Sequence, residues 1–312
     1  MDKRILQDMK ESYGLNVRSF SRINGGFKNE LWRAETDGET VLVKIFSAER
    51  FDDKKLNDIE AAMRMQSVLH GAGVLCPKVY AHGEGFVRRS DKHASYMVMG
   101  FCAGRNETAA SVNLRQMKSL GKQCAIMHRE FEKLPHEGVK GCPVNCVATA
   151  ENLQMHMARW GNEQMQRIAA AWTAEAIAAQ RTALRHEDMT ADNVLFDDSN
   201  VAAIIDFDRA RWGFALHDVG RVILDFALDE DGLMAENLIA FASGYREILP
   251  LSCGEIVQSL WIAWLCEAAW WIGPQADQLT GKARHFREEI LWLTDNYFAL
   301  PEMIDAMQAK GL

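Results

Sequence analysis

The spacing of apolar residues changes near residue 101 of the 312-residue chain. Before that point, apolar and polar residues alternate in short runs bounded by turn formers, which is typical of strands. The runs that predict strands are Val17–Ile23, Leu31–Thr36, Thr40–Phe46, Lys78–Val87 and Ser95–Phe101. Asp37-Gly38, between the second and third runs, is a strong hairpin signal. Helical spacing of Leu56, Ile59 and Met63 predicts one helix over Asp53–His70.

Residues 110 to 312 predict mostly helices. Apolar residues recur at helical spacing from Leu114 to Phe131, and a second helical tract covers Glu151–Gln180. A break over Leu184–Asn193 precedes two brief apolar runs that flank the turn formers 197 to 200, which predicts a hairpin. We therefore expect an α+β fold, with a small strand-rich N-terminal lobe (1–101) and a larger, mostly helical C-terminal lobe (102–312).

Composition narrows the class of protein. Hydrophobic residues are 48% and charged residues 25% of the chain, which is ordinary for a globular protein. The net charge of -8 argues against a nucleic-acid partner, because such proteins usually carry a basic surface. The seven cysteines form no C-x-x-C pair, and Met1–Lys10 lacks an apolar signal core, so we expect a cytoplasmic protein. The most apolar stretch, Leu260–Gly273, is too short to span a membrane.

The most informative segment is His186-Glu187-Asp188-Met189-Thr190-Ala191-Asp192-Asn193, which is followed thirteen residues later by Asp206-Phe207-Asp208. Phosphoryl transfer needs a carboxylate to receive the proton of an acceptor hydroxyl and oxygen ligands to hold Mg²⁺. We predict Asp188 as the catalytic carboxylate and Asn193 and Asp206 as metal ligands. Asp208 is equally a further metal ligand or a cap of the following loop. His186 is predicted to hold the loop by hydrogen bonds.

A lysine in an apolar strand supports the same chemistry. Lys44 lies within Val41–Ile45, where an ammonium is costly without a partner. Glu60 follows on the next predicted helix, and a strand lysine paired with a helix glutamate is the arrangement by which kinases hold nucleotide phosphates. Gly25 and Gly26 join two predicted strands, where backbone N–H groups could cover phosphates.

With these motifs in order, the chain resembles the aminoglycoside phosphotransferase/choline kinase family of protein-kinase-like folds, which includes a homoserine kinase type. The residues that carry the resemblance are Ile23–Asn29, the motif from His186 to Asn193, Asp206 and His217-Asp218-Val219-Gly220, with Tyr96–Gly104 similar to the hinge of the family. The resemblance covers roughly residues 20 to 275. Two positions depart from the usual pattern, Glu187 where the family has glycine and Gly100 where it has a carboxylate.

The resemblance implies a two-lobed protein-kinase-like fold that uses ATP and Mg²⁺ to phosphorylate a hydroxyl of a small molecule. The acceptor classes left open are aminoglycosides, amino alcohols, sugars and homoserine-like compounds. The hinge backbone near Met99 and Phe101 would meet adenine, and Asp218 would brace the catalytic loop. The alternatives are a protein Ser/Thr kinase and a catalytically silent nucleotide sensor. Only twelve steps separate Asp206 from Asp218, which leaves no room for a long peptide-binding segment.

The last candidate site lies on an apolar helix near the C-terminus. Glu267 is the only charged residue between Leu260 and Gly273, and Trp264 and Trp270 flank it. A buried carboxylate needs a partner, which is either an arginine of the protein or a cationic group of the substrate. Because aromatic faces attract cations, Glu267, Trp264 and Trp270 are candidate substrate residues.

Overall fold

The computed structural model describes residues 1–23, 29–90, 93–135, 139–309 and 311–312. The chain divides into two compact units. The first contains residues 1–105 and 202–210, and the second contains residues 106–201 and 211–312. The sequence did not predict that residues 202–210 belong with the first unit. No helix in the described part of the chain is both long and apolar enough to cross a bilayer.

The first unit is built on a four-stranded antiparallel sheet. Its strands follow chain order: β1 (Val17–Ile23), β2 (Asn29–Thr36), β3 (Thr40–Phe46) and β4 (Tyr96–Gly100). Two helices accompany the sheet, α1 (Lys3–Tyr13) and α2 (Asp53–Gly71). Ile5 and Met9 of α1 pack in one apolar cluster with Val41, Val43 and Ile45 of β3. Since side chains alternate along a strand, Lys44 points to the opposite face of the sheet from this cluster.

One predicted strand of the first unit is absent from the structure, and one helix was not predicted. Lys78–Val87 does not form a strand, because it pairs only through isolated bridges and Gly83 takes a left-handed conformation with φ of 58°. Helix α1 was not predicted, although its end signals are present. Asp2 caps its first turn, and Gly14 ends it with φ of 68°.

The second unit is mostly helical, which together with the small sheet confirms the predicted α+β class. Its helices are α3 (Leu114–Phe131), α4 (Cys146–Trp160), α5 (Glu163–Ala171), α6 (Ala174–Ala178), α7 (His217–Ala227), α8 (Ala235–Arg246), α9 (Cys253–Trp271), α10 (Gly281–Asn296) and α11 (Leu300–Gln308). Helices α7 and α9 pack closely, since a Cβ on Gly220 would lie 2.2 Å from the Ser259 carbonyl oxygen. That close approach fixes the position of α7.

Short strands lie before and after α7 in the chain. β5 (Thr182–Arg185) pairs antiparallel with β8 (Arg211–Phe214), and β9 (Leu228–Asp229) pairs with β10 (Gly232–Leu233). β6 (Val194–Phe196) and β7 (Val201–Ile204) flank the predicted turn, which the hydrogen bond from Asp197 N–H to the Asn200 carbonyl closes at 3.0 Å. Short 3₁₀ turns cover Ala191–Asn193, Phe207–Arg209 and Ala276–Gln278.

Candidate active site

Lys44 is buried in the first unit and paired with two carboxylates. Its side chain is 7% exposed, and its Nζ lies 2.7 Å from Asp206 Oδ1 and 2.6 Å from Asp208 Oδ2. Burial alone would lower the pKa of Lys44, but Asp208 and Asp206 outweigh burial and hold this pKa above its usual value. The expected partner for a lysine in an apolar strand is thus present, and the lysine is charged.

The backbone of the segment 206–208 is shaped to bring both carboxylates to Lys44. Asp206 has a left-handed conformation with φ of 63° and ψ of 58°, and a 3₁₀ turn follows it. A left-handed aspartate costs roughly 1 kcal/mol relative to ordinary backbone, and such strain is common where a side chain is aimed at a functional group. Burial, aided by the nearby charge of Asp206, raises the pKa of Asp208 to about 6 despite Lys44. One ammonium therefore faces two carboxylates.

The predicted ion pair between Lys44 and Glu60 is wrong. The Glu60 carboxylate instead accepts hydrogen bonds from the backbone N–H groups of Phe86 and Val87, both at 2.8 Å, and it pairs with Arg64 at 3.0 Å. These three donors satisfy the Glu60 carboxylate, while Asp206 and Asp208 satisfy the Lys44 ammonium. The sequence spacing alone could not reveal this exchange of partners, because Asp206 is 162 residues away from Lys44 along the chain.

The donors around Lys44 fit a divalent metal ion. Asp206 and Asp208 supply the hard oxygen atoms that Mg²⁺ prefers. Asp208 Oδ1 is buried and has no hydrogen-bond partner among the residues that the structure describes. A buried oxygen without a donor is costly, and a cation would satisfy it. The surplus negative charge of two carboxylates against one ammonium points to the same occupant.

The other predicted nucleotide-binding residues are Gly25, Gly26, Met99 and Phe101. Gly25 and Gly26 lie outside the described residues. Met99 is buried in β4, opposite Leu42 of β3. The backbone N–H of Phe101 donates to the Thr40 carbonyl at 3.1 Å, so Phe101 can offer an adenine only its carbonyl oxygen.

Asp218 holds the start of the predicted catalytic loop, residues 186–193, in the second unit. Its carboxylate is fully buried and accepts hydrogen bonds from the backbone N–H groups of His186, at 2.7 Å, and Glu187, at 3.0 Å. Burial would raise the pKa of Asp218, but a hydrogen bond with His128 and the neighbouring histidine rings keep this pKa well below its usual value. Asp218 therefore remains a charged acceptor at the base of the loop.

The loop itself makes a tight turn around Asp188. His186 Nδ1 lies 3.3 Å from the backbone N–H of Asp188, and the Asp188 carbonyl accepts from Nδ2 of Asn193 at 2.8 Å. Glu187 has a left-handed conformation with φ of 75°, which explains why glycine is usual at this position of the resembled family. The amide nitrogen of Asn193 is engaged within the loop, which leaves its amide oxygen as the candidate metal ligand.

Two further residues that the sequence analysis missed support this loop. Asp225 accepts from the backbone N–H of Ala191 at 2.5 Å, and Lys282 Nζ lies 2.6 Å from Asp192 Oδ2. Asp225 lies seven residues after Asp218 on α7, with Arg221 between them and paired to Asp225. This D-x-x-R-x-x-x-D spacing places three charged residues on one helix face. The sequence signal that could have identified Asp225 is the presence of charged residues on α7, which is otherwise mostly apolar.

The predicted substrate group on α9 is not supported by its surroundings. Glu267 Oε1 pairs with Arg221 Nε and His217 Nε2, both at 3.2 Å, which is the protein-arginine alternative. These partners outweigh burial and lower the pKa of Glu267 to about 2. Trp264 is fully buried and donates to Thr294 Oγ1, so it cannot touch a substrate, whereas Trp270 is 79% exposed. A cationic substrate is therefore not needed to balance Glu267.

A second set of metal-donor side chains lies beside Arg221. Single ligand atoms of Asp225, His285 and Glu289 come within 4.8 Å of one another. Arg221 Nη1 donates to Glu289 Oε2 at 2.8 Å, and its other nitrogens pair with Asp225 and Glu267. Because a guanidinium already lies in this cluster as its counter-ion, we assign the cluster to support of the predicted catalytic loop and not to a metal.

Known structures share the fold of the chain at low sequence identity. An amicoumacin kinase in complex with AMP-PNP, Ca²⁺ and its antibiotic aligns over 98% of this chain and 93% of its own, with a TM-score of 0.66 and 14% identity. A microcompartment-associated aminopropanol kinase aligns over 96% of this chain and 98% of its own, with a TM-score of 0.58 and 15% identity. These likenesses confirm the protein-kinase-like fold.

Sequence relatives extend the match. The homoserine kinase of Gluconobacter oxydans (strain 621H) is 24% identical over 281 residues, which are 84% of this chain and 85% of that protein. A homoserine kinase of Pseudomonas aeruginosa (strain LESB58) is 25% identical over 242 residues, or 74% of this chain and 72% of that protein. The model of the phosphotransferase enzyme family matches residues 19–251. The chain therefore belongs to the phosphotransferase enzyme family, which confirms the prediction of a kinase.

Proposed function

We propose that this protein transfers the γ-phosphoryl group of ATP, with Mg²⁺, to a hydroxyl of a small molecule. The observation that carries the proposal is the buried Lys44 ammonium held between Asp206 and Asp208. A fixed ammonium beside surplus carboxylate charge suits a nucleotide triphosphate that arrives with its metal ion. Asp208 also keeps a buried carboxylate oxygen that has no donor among the described residues, and a metal ion would satisfy it.

Each proposed residue has a defined task. Lys44 binds phosphate oxygens, Asp206 and Asp208 would hold Mg²⁺, and Asn193 is the further ligand that the motif predicts. The metal ion would neutralise charge on the phosphates. Asp188 orients the acceptor hydroxyl and receives its proton as the hydroxyl oxygen bonds to the γ-phosphorus. The bond from that phosphorus to the leaving oxygen of ADP breaks in the same step.

A small acceptor is favoured over a peptide. Between Asp206 and Asp218 the described chain holds only a 3₁₀ turn and β8, a four-residue strand. Protein kinases use a long segment there to bind a peptide. The kinases named among the relatives act on homoserine, and those named among the solved structures act on amicoumacin and aminopropanol. Homoserine is therefore the first acceptor to test, followed by amino alcohols and aminoglycosides.

The test is release of ADP by the purified protein with each acceptor, followed by mass spectrometry of the phosphorylated product. We expect turnover that requires both ATP and Mg²⁺, with at least one hydroxyl compound of these classes. A protein that binds ATP and phosphorylates only peptides would support the protein kinase alternative. Binding of ATP without phosphorylation of any acceptor would support the nucleotide sensor.

Location in the cytoplasm remains a prediction. The prediction is based on the cysteines. All seven are described in the structure, and none of them forms a disulfide. Reduced thiols are usual in the cytoplasm, where ATP is also available.

A further inference from the structure

Two arginines stand directly opposite each other at the entrance to the catalytic loop. Arg185 ends β5 and pairs in register with Arg211, the first residue of β8. Residues that are directly opposed in an antiparallel pair project to the same face, and like charges in that position destabilise a sheet. Arg185 is followed at once by His186 and, two residues further, by Asp188. A repulsive pair beside the catalytic residue calls for a functional explanation.

Glycines make room for both guanidinium groups. A Cβ on Gly213 would lie 2.5 Å from Arg185 Nε, and a Cβ on Gly141 would lie 3.0 Å from Nε and Nη2 of Arg211. Gly213 belongs to β8, whereas Gly141 comes from a different segment, before α4. A side chain at Gly213 would collide with the Arg185 guanidinium, and one at Gly141 would collide with the Trp212 carbonyl oxygen at 2.4 Å and crowd Arg211.

The charges of this arginine pair do not balance. Glu187 forms an ion pair with Arg185. Among the residues that the structure describes, no carboxylate pairs with Arg211. The Nε atoms of Arg185 and Arg211 are both buried without a hydrogen-bond partner in the described chain. An ion-pair partner is thus present for Arg185 and not for Arg211 in the described part of the chain. Arg211 is only half-buried, so a small anion can reach it from solvent.

The ion pair with Arg185 explains why residue 187 is a glutamate here, where the resembled family has glycine. A glutamate at φ of 75° costs about 1 kcal/mol more than glycine. Its carboxylate holds Arg185 in place, and its backbone N–H is held by Asp218. A guanidinium group that is held in place in this way is pre-organised to bind a planar anion such as a carboxylate.

We propose that Arg211, supported by Arg185, binds the carboxylate of the acceptor, so that the enzyme prefers hydroxy acids or hydroxy amino acids to plain amino alcohols. This inference rests on the proposed phosphotransfer to a small hydroxyl. Guanidinium groups bind carboxylates through paired, charge-assisted hydrogen bonds, which give both affinity and direction.

The distances along the chain allow this assignment. Three residues of extended chain span at most about 10 Å, so Asp188 cannot lie farther than that from the backbone of Arg185. An arginine side chain and a four-carbon hydroxy acid together cover such a span. The carboxylate of the acceptor can thus meet the arginine pair while its hydroxyl reaches Asp188.

Matched acceptors test the proposal. L-Homoserine and 3-amino-1-propanol differ only by the carboxylate, and 4-hydroxybutanoate keeps the carboxylate without the amine. We expect kcat/KM with L-homoserine to exceed that with 3-amino-1-propanol by about 10- to 100-fold, the usual effect of a charge-assisted hydrogen bond. Glycerol 3-phosphate, which carries a phosphate in place of the carboxylate, distinguishes a carboxylate site from a phosphate site.

Variants locate the effect. Arg211→Gln should raise KM for L-homoserine about 10- to 100-fold and leave kcat/KM for 3-amino-1-propanol within about threefold, whereas Arg211→Lys should restore part of the loss. Arg115→Gln, at an exposed arginine of α3, is the matched control and should change neither. Calorimetric titration of 4-hydroxybutanoate into wild type and Arg211→Gln reports binding without turnover.

The outcomes separate this inference from the proposed function. Equal losses for both acceptors, or unchanged values for L-homoserine, overturn the carboxylate site while the kinase assignment stands. Preference for glycerol 3-phosphate over the carboxylates also overturns it. If no acceptor is phosphorylated, the proposed function fails. Binding of 4-hydroxybutanoate that depends on Arg211 would then still support the site, and absence of such binding would overturn it.

Discussion

Lys44 Nζ lies 2.7 Å from Asp206 Oδ1, although the two residues are 162 positions apart in the chain. The contact joins the middle of the sheet in the first unit to the segment that returns from the helical part of the chain. Asp208 lies on the same ammonium at 2.6 Å. This cluster replaces the strand-to-helix ion pair that was predicted with Glu60.

Lys44→Met should strongly reduce phosphotransfer. The change removes the ammonium that the account assigns to the phosphates and leaves two carboxylates without their counter-ion. We expect kcat/KM for ATP to fall by roughly 10²–10³-fold, which is the scale for losing one fixed charge-stabilising donor. Steady-state kinetics with saturating acceptor measures the loss. A variant that retains more than a third of wild-type kcat/KM would refute the role of Lys44.

Glu60→Gln is the matched comparison. Because Glu60 caps the N–H groups of Phe86 and Val87 and does not touch Lys44, its loss should affect stability more than catalysis. We expect a decrease of about 1–2 kcal/mol in the free energy of unfolding, with kcat within about threefold of wild type. A large fall in kcat with unchanged stability would instead favour the Lys44–Glu60 pair that the structure lacks.

The pH dependence of stability should report the Glu267 ion pair. Its pKa is lowered from 4.5 to about 2 in the folded protein, so its stabilising effect is complete above pH 4.5 and disappears as the pH falls towards 2. Glu267→Gln should lower the free energy of unfolding at pH 7 by about 3–5 kcal/mol, the range for a broken buried ion pair. Denaturant titrations should show this difference shrinking between pH 4.5 and 3. A difference that grows on acidification would contradict the assignment.

Gly220→Ala should destabilise the second unit. Its Cβ would meet the Ser259 carbonyl oxygen at 2.2 Å, and backbone on both helices would have to move apart. Overpacking of this kind usually costs about 1–3 kcal/mol, which thermal unfolding can measure. Gly254→Ala on α9 is the control, since its nearest neighbour would be a side-chain oxygen at 3.9 Å. Equal melting temperatures for both variants would show that α7 and α9 are not closely packed.

The elements that carry the motif were predictable because each has a strong local signal. Asp37-Gly38 fixed the hairpin between β2 and β3, and the loop that starts at His186 was bounded by apolar runs on both sides. Lys44 was recognised because a lysine in an apolar strand has to find a partner. These inferences rest on short spacings, within which sequence order and spatial order agree.

The partners of charged residues could not be predicted in the same way. Lys44 and Glu267 both had an obvious need for a counter-ion, but their partners, Asp206 and Arg221, lie far away along the chain. The N–H groups that satisfy Glu60 belong to a segment predicted as a strand, and that segment is irregular because Gly83 turns it. Sequence spacing identifies the residues that need a partner, and only the fold decides which residue supplies it.

The central claim is that Asp188 receives the proton of a small acceptor in transfer from ATP. The most direct measurement is steady-state phosphorylation of L-homoserine and the other acceptors by wild type and Asp188→Asn, with the ATP dissociation constant measured in parallel. The account predicts that kcat falls by roughly 10²–10⁴-fold while ATP binding changes less than about threefold. Near-normal turnover by Asp188→Asn would contradict the account.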